Sequence, residues 1–90
     1  SIAEKMALLM QEMGKNDHQV ISITHLPQIA ARGTYHYKVY KEDTEIGTNT
    51  YIRCLDKDER INEIANMLSG SDMTEAALNN AKVLLNNELL

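Results

Sequence analysis

The sequence predicts an α/β fold built from one core strand, a β-hairpin and three main helices. Three patterns carry this expectation: apolar residues recur at helical spacing in three segments, a β-branched run follows the first segment, and two alternating runs flank a glycine-containing loop. With 90 residues, 43% of them hydrophobic and 24% charged, the chain has the composition of an ordinary globular domain. We therefore expect a single domain over residues 1–90.

The first helix is predicted from Ile2 to Met13, because apolar residues recur there on one helical face. These residues are Ile2, Met6, Leu9, Met10 and Met13. A methionine-rich stripe at this spacing is typical of core packing. Gly14 is expected to end the helix as its C-terminal cap, and residues 15–19 are expected to form a polar loop.

The next element, Val20 to Ile23, has the β-branched composition of a strand buried on both faces, as in parallel sheets. His25 follows it directly, so the histidine is expected at the carboxyl end of a strand, where open α/β sheets bind ligands. Imidazole at such a place can donate a hydrogen bond to a phosphate or move a proton near neutral pH. A structural or surface role is the alternative.

A short helix is predicted from Pro27 to Ala31, because proline is tolerated in a first helical turn, and Gly33 is expected to end it. Two alternating runs then predict the hairpin, one near residues 35–40 and one over residues 48–55, with a loop at residues 43–47. We expect the hairpin tyrosines to pack inward, and the single cysteine, Cys54, to be a small buried hydrophobe.

The last two helices carry their own boundary signals. Asp56 and Glu59 match a capping box, and Gly70 is expected to end the helix that they begin. Asp72 or Thr74 can cap the final helix. Its apolar stripe consists of Ala77, Leu78, Ala81, Leu84 and Leu85.

Composition and motif spacing argue against several functions. The net charge is −4 and the basic residues are scattered, unlike a main nucleic-acid footprint. Three histidines and one cysteine fit no zinc spacing, and the glycines form no phosphate-binding loop. A triad of Ser22, His25 and Asp17 lacks the glycine-flanked nucleophile elbow of a hydrolase. No apolar run is long enough for a membrane span, and a lone reduced cysteine suits the cytoplasm.

Three blocks of this sequence together resemble a known family. VISITHLPQIAARGTYHYKVYKE, followed by INEIANMLSG and TEAALNNAKVLL, is similar to the carboxyl-terminal end of the RecN family, the SMC-like ATPases of bacterial DNA double-strand-break repair and recombination. The resemblance covers the chain from about Ala3 to Leu85. A strand followed by Thr-His is shared by many ATP-binding-cassette ATPases, whereas the longer run from Thr24 to Ala31 with Met67–Gly70 is more specific to RecN.

The resemblance implies that the chain is the C-terminal part of a P-loop NTPase head of the ABC/SMC-like type. His25 matches the catalytic switch histidine of the H-loop, which reaches the γ-phosphate of ATP and helps to hold the attacking water. Thr24 and Gln28 match neighbouring positions and are expected to support nucleotide binding. The Walker A lysine, the signature loop and the Walker B acids would precede Ser1. ATP and Mg²⁺ are therefore expected in the parent protein, and neither binding nor hydrolysis by this chain alone.

The resemblance also implies partners. We expect the rest of the head, a second head in a homodimer, and DNA bound through other regions of a nucleoid-associated cytoplasmic protein, without a membrane partner. An excised piece would expose uncovered edges and is expected to self-associate. The alternative is a self-contained interaction module, in which the methionine-rich first helix and the leucine-rich last helix dock a partner helix. The encoded sequence before Ser1 would discriminate between the two.

Overall fold

The computed structural model describes residues 1–70 and 72–86, and it shows a mixed α/β chain with one two-stranded antiparallel sheet. In chain order the elements are α1 (Ile2–Lys15), α2 (Pro27–Ala30), β1 (Tyr37–Thr44), β2 (Gly47–Cys54), α3 (Lys57–Ser69) and α4 (Glu75–Asn86). The hairpin and the three longer helices confirm the coarse prediction.

The core lies between α2, α3 and α4 and is made mostly of alanine. The buried cluster consists of Ala31, Ile64, Ala65, Ala77 and Ala81. Small side chains let the helix backbones approach closely, and the single isoleucine of the cluster fills the remaining space at 0% exposure. Leu78, Leu84 and Leu85 pack around the cluster, so the apolar stripe of α4 is used within this chain.

The predicted C-terminal cap of α1 is wrong. The helix continues through Gly14 to Lys15, and the left-handed residue is Asp17 with φ 65°. Aspartate tolerates this conformation better than most residues because its short side chain can form local hydrogen bonds. The helix begins where the Ser1 Oγ accepts a hydrogen bond from the Glu4 backbone N–H at 3.2 Å, an N-cap that sequence analysis missed.

The apolar stripe of α1 is not core, which corrects the second expectation for this helix. Ile2 is 78% exposed and Leu9 is 63% exposed, and Met6 and Met13 are exposed as well. The buried residue of α1 is Ala7, because the main neighbour of this helix is the single turn of α2. One turn covers only a small part of a four-turn helix, so most of the stripe remains in solvent.

The predicted core strand from Val20 to Ile23 is also wrong for this chain. Residues 18–24 have no regular secondary structure, and Ile21 and Ile23 are 82% and 100% exposed. A strand exists only where its backbone groups pair with a neighbour. Among the described residues β1 and β2 pair with each other, and neither pairs with this segment.

The hairpin is confirmed, with a tighter turn than expected. The strands pair antiparallel from Tyr37 opposite Cys54 to Thr44 opposite Gly47, so the connection is two residues and not residues 43–47. Gly47 has φ 143°, a conformation that L side chains rarely adopt. The Thr44 hydroxyl donates to the Gly47 carbonyl oxygen at 2.8 Å and closes the turn.

Most hairpin side chains face solvent, which corrects the expectation of inward packing. Tyr35, Tyr37 and Cys54 are exposed. The rings of Tyr40 and Tyr51 stack on each other across the strands, with centroids 5.5 Å apart. The reason is that no second sheet or helix among the described residues covers the outer face of the hairpin.

Two ion pairs and one backbone hydrogen bond anchor the base of the hairpin. Lys38 Nζ lies 2.8 Å from Glu63 Oε2 of α3, and Arg53 pairs with Glu59 of the same helix. The Leu55 N–H donates to the His36 carbonyl oxygen at 2.8 Å, which extends the strand pairing by one step. The hairpin is therefore fixed at its open end only.

The caps of the last two helices follow the predictions. The Asp56 Oδ1 accepts from the Glu59 N–H at 2.8 Å and the Asp56 N–H donates back to Glu59 Oε1 at 3.2 Å, which confirms the capping box. Gly70 ends α3 with φ 72°. The Thr74 Oγ1 accepts from the Ala77 N–H at 3.0 Å, so Thr74 caps α4.

Arg60 of α3 joins α2 to the helical core. Its Nη2 donates to the carbonyl oxygens of Ala30, Ala31 and Gly33, at 3.2, 3.3 and 2.7 Å. The last carbonyls of a helix have no partner inside that helix, so a guanidinium satisfies groups that would otherwise lose their hydrogen bonds on burial. The end of α2 is thereby held on α3.

We expect replacement of Arg60 to destabilise the fold strongly. Arg60→Met keeps much of the apolar stem but removes the donors for three partly buried carbonyls, so the free energy of unfolding should fall by about 2–3 kcal/mol. Urea unfolding followed by circular dichroism measures this. Arg53→Met is the matched control, because its pair with Glu59 is more than half exposed at the arginine and should cost less than about 1 kcal/mol. Equal losses for the two variants would contradict the role of Arg60.

His36 lies at the base of the hairpin with its Nδ1 buried and without a hydrogen-bond partner among the described residues. Burial lowers the pKa of His36 below its ordinary value of 6.5, and the positive charge of Arg60 lowers that pKa further, while Glu63 opposes the shift. The folded chain therefore favours the neutral imidazole.

This lowered pKa predicts a pH-dependent stability. Between pH 6.5 and the lower pKa of His36 in the folded state, the unfolded chain binds more protons at this histidine than the folded chain does. The contribution of neutral His36 to stability is therefore fully present above about pH 6.5 and is lost as the pH falls through this window. Urea midpoints at pH 7.5 and 5.5 should show the loss, and His36→Gln should reduce it. His18→Gln, in an exposed loop, is the control and should leave the loss unchanged. An undiminished loss in His36→Gln would assign the effect to other groups.

Candidate functional site

Of the three site residues predicted from the sequence, Thr24 and His25 lie on the turn that leads into α2, and Gln28 lies in the first turn of α2. The Thr24 Oγ1 accepts a hydrogen bond from the Leu26 N–H at 2.9 Å, which folds the chain back around His25. The Thr24 hydroxyl keeps its own proton for a further hydrogen bond. The side chain of Thr24, which directly precedes His25, thus shapes the backbone that carries the histidine.

The second half of the turn is shaped by proline. Leu26 is extended, with φ −98° and ψ 119°, as expected for a residue before proline. Pro27 begins α2 and is buried, and the Leu26 carbonyl oxygen accepts from the N–H groups of Ile29 and Ala30 at 3.1 and 3.0 Å. His25 therefore lies between two locally fixed residues.

His25 itself is exposed, and no hydrogen bond ties its imidazole to another described residue. Gln28 is half-buried in the first turn of α2, three residues after the histidine in sequence. The structure thus places Thr24 and His25 on the turn before α2 and Gln28 in α2 itself.

The rear of this turn rests on the core through two features that sequence analysis did not connect with the site. Arg60 holds the carbonyls after α2, and Ala31 is buried against Ile64 and its neighbours. Gly33 lies in a tight place, since a Cβ there would be 3.1 Å from the Tyr35 carbonyl oxygen, which would have to shift by a few tenths of an ångström. One signal was available for Arg60: it precedes Ile64 by four residues and so lies on the buried face of its helix.

Two cavities lie on the other side of the helical core. A groove of about 740 Å³ runs between the hairpin base, the start of α3 and the end of α4; its lining includes Tyr35, Lys57, Ile61, Lys82 and Leu85. A shallower cleft of about 210 Å³ lies beside the two ion pairs of the hairpin. Neither of these two cavities is lined by Thr24, His25 or Gln28.

Other chemistry considered from the sequence finds no geometric support in the described residues. Ser22 and Asp17 are exposed, and no hydrogen bond joins either of them to His25, so no triad is assembled. Within residues 1–70 and 72–86 no group of three His, Cys, Asp or Glu side chains could hold a metal ion. The helices in the same ranges are too short or too polar to cross a membrane.

The sequence is similar to several curated proteins named DNA repair protein RecN. It is 45% identical over 85 residues to the protein of Deinococcus radiodurans, which covers 94% of this chain and 14% of that protein. It is 42% identical over 77 residues to the protein of Vibrio cholerae, covering 86% of this chain and 14% of that protein. It is 38% identical over 84 residues to the protein of Rickettsia bellii, covering 93% of this chain and 15% of that protein.

No family model matches the chain. The chain spans about one seventh of the length of the curated relatives it matches. The similarity nevertheless runs through nearly all of its residues, including both sides of the His25 turn, and it agrees with the motif resemblance found in the sequence. This chain belongs to the RecN family.

Proposed function

We propose that this chain is the C-terminal part of the ATPase head of a RecN protein that acts in DNA repair, and that His25 is its switch histidine for ATP hydrolysis. The observation that carries the proposal is an exposed imidazole, without a hydrogen bond to any residue of ranges 1–70 and 72–86, on a turn fixed by Thr24 on one side and Pro27 on the other. The names of the RecN relatives support the repair role.

The chemistry of phosphoryl transfer fits this geometry. Catalysis of that reaction depends mainly on positioning the nucleophile and on stabilising charge at the phosphoryl oxygens. In the proposed role, an imidazole N–H of His25 donates to a γ-phosphate oxygen and helps to place the attacking water. A histidine held by an internal hydrogen bond would be less available, which is why its freedom in this chain supports the assignment.

Thr24 and Gln28 have supporting roles in this proposal. Thr24 holds the backbone turn through its hydrogen bond to the Leu26 N–H, so its main contribution is to orient His25. Gln28 lies in the first turn of α2, where its amide can reach a ligand bound beside the histidine. Arg60 has an indirect role in this proposal, because its hydrogen bonds fix the end of α2 and thereby the direction of the turn before it.

The remaining parts of the site are assigned to the rest of the protein. ATP and Mg²⁺ belong to the complete head, with a phosphate cradle outside this chain, and head dimerisation and DNA binding are likewise properties of the complete protein. The segment from Val20 to Ile23 supports this view, since Ile21 and Ile23 are exposed and its backbone forms no strand pairing within the described residues. We propose that it becomes a strand when a neighbouring strand of the complete head is present.

A self-contained module that docks a partner helix is the second candidate, and one observation favours it: the apolar stripe of α1 is exposed. The expectation that α4 also docks a partner helix is weakened, because Leu78, Leu84 and Leu85 of α4 pack on the internal core. Such a module would need no nucleotide. The dependence of hydrolysis on His25 therefore separates the two candidates.

In a full-length RecN protein that carries this segment, His25→Ala should leave ATP binding largely intact and slow hydrolysis by at least about 100-fold. The reason is that the lost group acts on the transition state and not on the ground state. Single-turnover hydrolysis and nucleotide binding measure the two effects. His18→Ala, another exposed histidine outside the turn, is the matched control and should behave like the wild type. Wild-type hydrolysis in His25→Ala would reject the switch role.

The 90-residue chain alone should show no tight ATP binding, because a single imidazole and a threonine offer few contacts to a triphosphate. Titration calorimetry with Mg²⁺–ATP should give dissociation constants in the micromolar range or below for the full-length protein and no resolvable binding for the chain. Micromolar binding by the chain alone would show that it contains its own phosphate site and would overturn the division of the site proposed above.

A further inference from the structure

The segment between α2 and β1 is held at both of its ends by residues of this chain. At one end the Gly33 carbonyl oxygen accepts from Arg60 Nη2 at 2.7 Å, the same nitrogen that donates to the end of α2. At the other end the His36 carbonyl oxygen accepts from the Leu55 N–H at 2.8 Å. His36 is therefore fixed three residues away from the Arg60 contact.

The imidazole of His36 is half-buried at this place, and the role proposed for His25 does not use it. Its Nδ1 is closed to solvent and has no hydrogen-bond partner among residues 1–70 and 72–86. Atoms of this chain cover that nitrogen, so further residues packed around it would only bury it more deeply. A positive charge on this ring is thus partly withdrawn from water, which is unfavourable.

The charges around His36 do not compensate for this burial. Burial lowers the pKa of His36, and the Arg60 guanidinium lowers that pKa further. Glu63 acts in the opposite direction, but its Oε2 already pairs with Lys38 Nζ at 2.8 Å, and Lys38 also lowers the pKa. A protonated His36 therefore faces Arg60, and the one carboxylate among the groups that act on it is already paired.

The repulsion between His36 and Arg60 acts on both residues. Because Arg60 disfavours a proton on His36, a proton on His36 disfavours the present position of Arg60 by the same free energy. In that position Nη2 holds the carbonyl oxygens of Ala30, Ala31 and Gly33. A single turn such as α2 has almost no stability of its own. Weakening of the contact therefore affects α2 before it affects the 13-residue helix α3.

We propose that the protonation state of His36 controls the Arg60 contact: the neutral ring permits it, and the protonated ring releases the end of α2 and with it the turn that carries His25. His36 is thus a positioning residue, since it acts on His25 through Arg60 and α2. The consequence for ATP hydrolysis rests on the proposed function of His25, whereas the release of α2 does not. Hydrolysis by the complete protein should weaken as the pH falls below about 6.5 and through the lowered pKa of His36.

An NMR titration of the 90-residue chain from pH 7.5 downward tests the release without nucleotide. The Cε1 proton of His36 reports its protonation, and the Cα shifts of Ala30 and Ala31 report the helical state of α2. These shifts should move toward coil values with the midpoint of His36, while the Cα shift of Ala81 in α4 stays helical. Helical shifts that persist after His36 is protonated, or a simultaneous loss at Ala81, would overturn the proposal.

Two variants identify the responsible histidine in the same titration. In His36→Gln, which carries no titrating group at this position, the Cα shifts of α2 should stay helical throughout. In His25→Gln the movement should persist, because the histidine on the turn is not its cause. A movement that is lost in His25→Gln and kept in His36→Gln contradicts the proposal.

Replacement of Arg60 tests the coupling in the reverse direction. Arg60→Gln removes the charge but keeps one amide donor, and it should raise the pKa of His36 toward its ordinary value of 6.5. Arg53→Gln is the matched control, since this half-exposed arginine of the hairpin base is not among the groups that shift His36. An unchanged pKa in a folded Arg60→Gln overturns the proposal. If circular dichroism shows that Arg60→Gln is unfolded, the wild-type titration decides.

Single-turnover hydrolysis by a full-length RecN protein that carries this segment completes the test. The loss of rate between pH 7.5 and 5.5 should be smaller in His36→Gln than in the wild type by at least about threefold, the equivalent of half a pKa unit. Normal hydrolysis in His25→Ala would reject the proposed function and leave the release of α2 to the NMR result. Hydrolysis that depends on His25 but loses the same rate in His36→Gln rejects the control by His36 alone.

Discussion

The contact between Arg60 and the end of α2 is the constraint on which the arrangement of this chain depends. One guanidinium nitrogen of α3 satisfies three carbonyl oxygens that follow a single helical turn. A helix of four residues has almost no stability of its own, since helix formation requires a costly first turn. The position of α2, and with it the turn that carries His25, is therefore set from outside by α3.

The molecule divides into a packed part and an open part. The packed part consists of α2, α3 and α4 around an alanine-rich cluster, where small side chains permit close contact between backbones. The open part consists of α1, residues 18–24 and the hairpin, where isoleucine, methionine and tyrosine side chains face solvent. Exposed apolar surface of this extent is typical of a surface that binds something else. The proposal that this chain is part of a larger head starts from this division.

The candidate site joins the two parts. Its geometry is local, because the Thr24 hydroxyl, the extended Leu26 and the proline act within four residues. Its placement is not local, because α2 is held by residues some 30 positions later in the chain. Ala31 packs in one cluster with Ile64, and Arg60 donates to the Ala30 carbonyl oxygen. A free histidine on a supported turn is suited to contact a ligand that other residues bind, which is consistent with the RecN family and with the short span of this chain relative to the RecN proteins.

The sequence by itself determined the elements whose hydrogen bonds link near neighbours. The capping box of Asp56 and Glu59, the end of α3 at Gly70 and the hairpin belong to this class, and each was predictable because its partners lie within a few residues along the chain or in directly adjoining strands. Tertiary structure alone decided which apolar faces are covered. The stripe of α4 packs inside, whereas most of the similar stripe of α1, and Ile21 and Ile23, remain exposed. Apolar periodicity states only that a face is suited to burial, and whether it is buried depends on which other segments lie against it. For the same reason the role of Arg60 could not be predicted from composition, since its acceptors are backbone carbonyls distant in sequence.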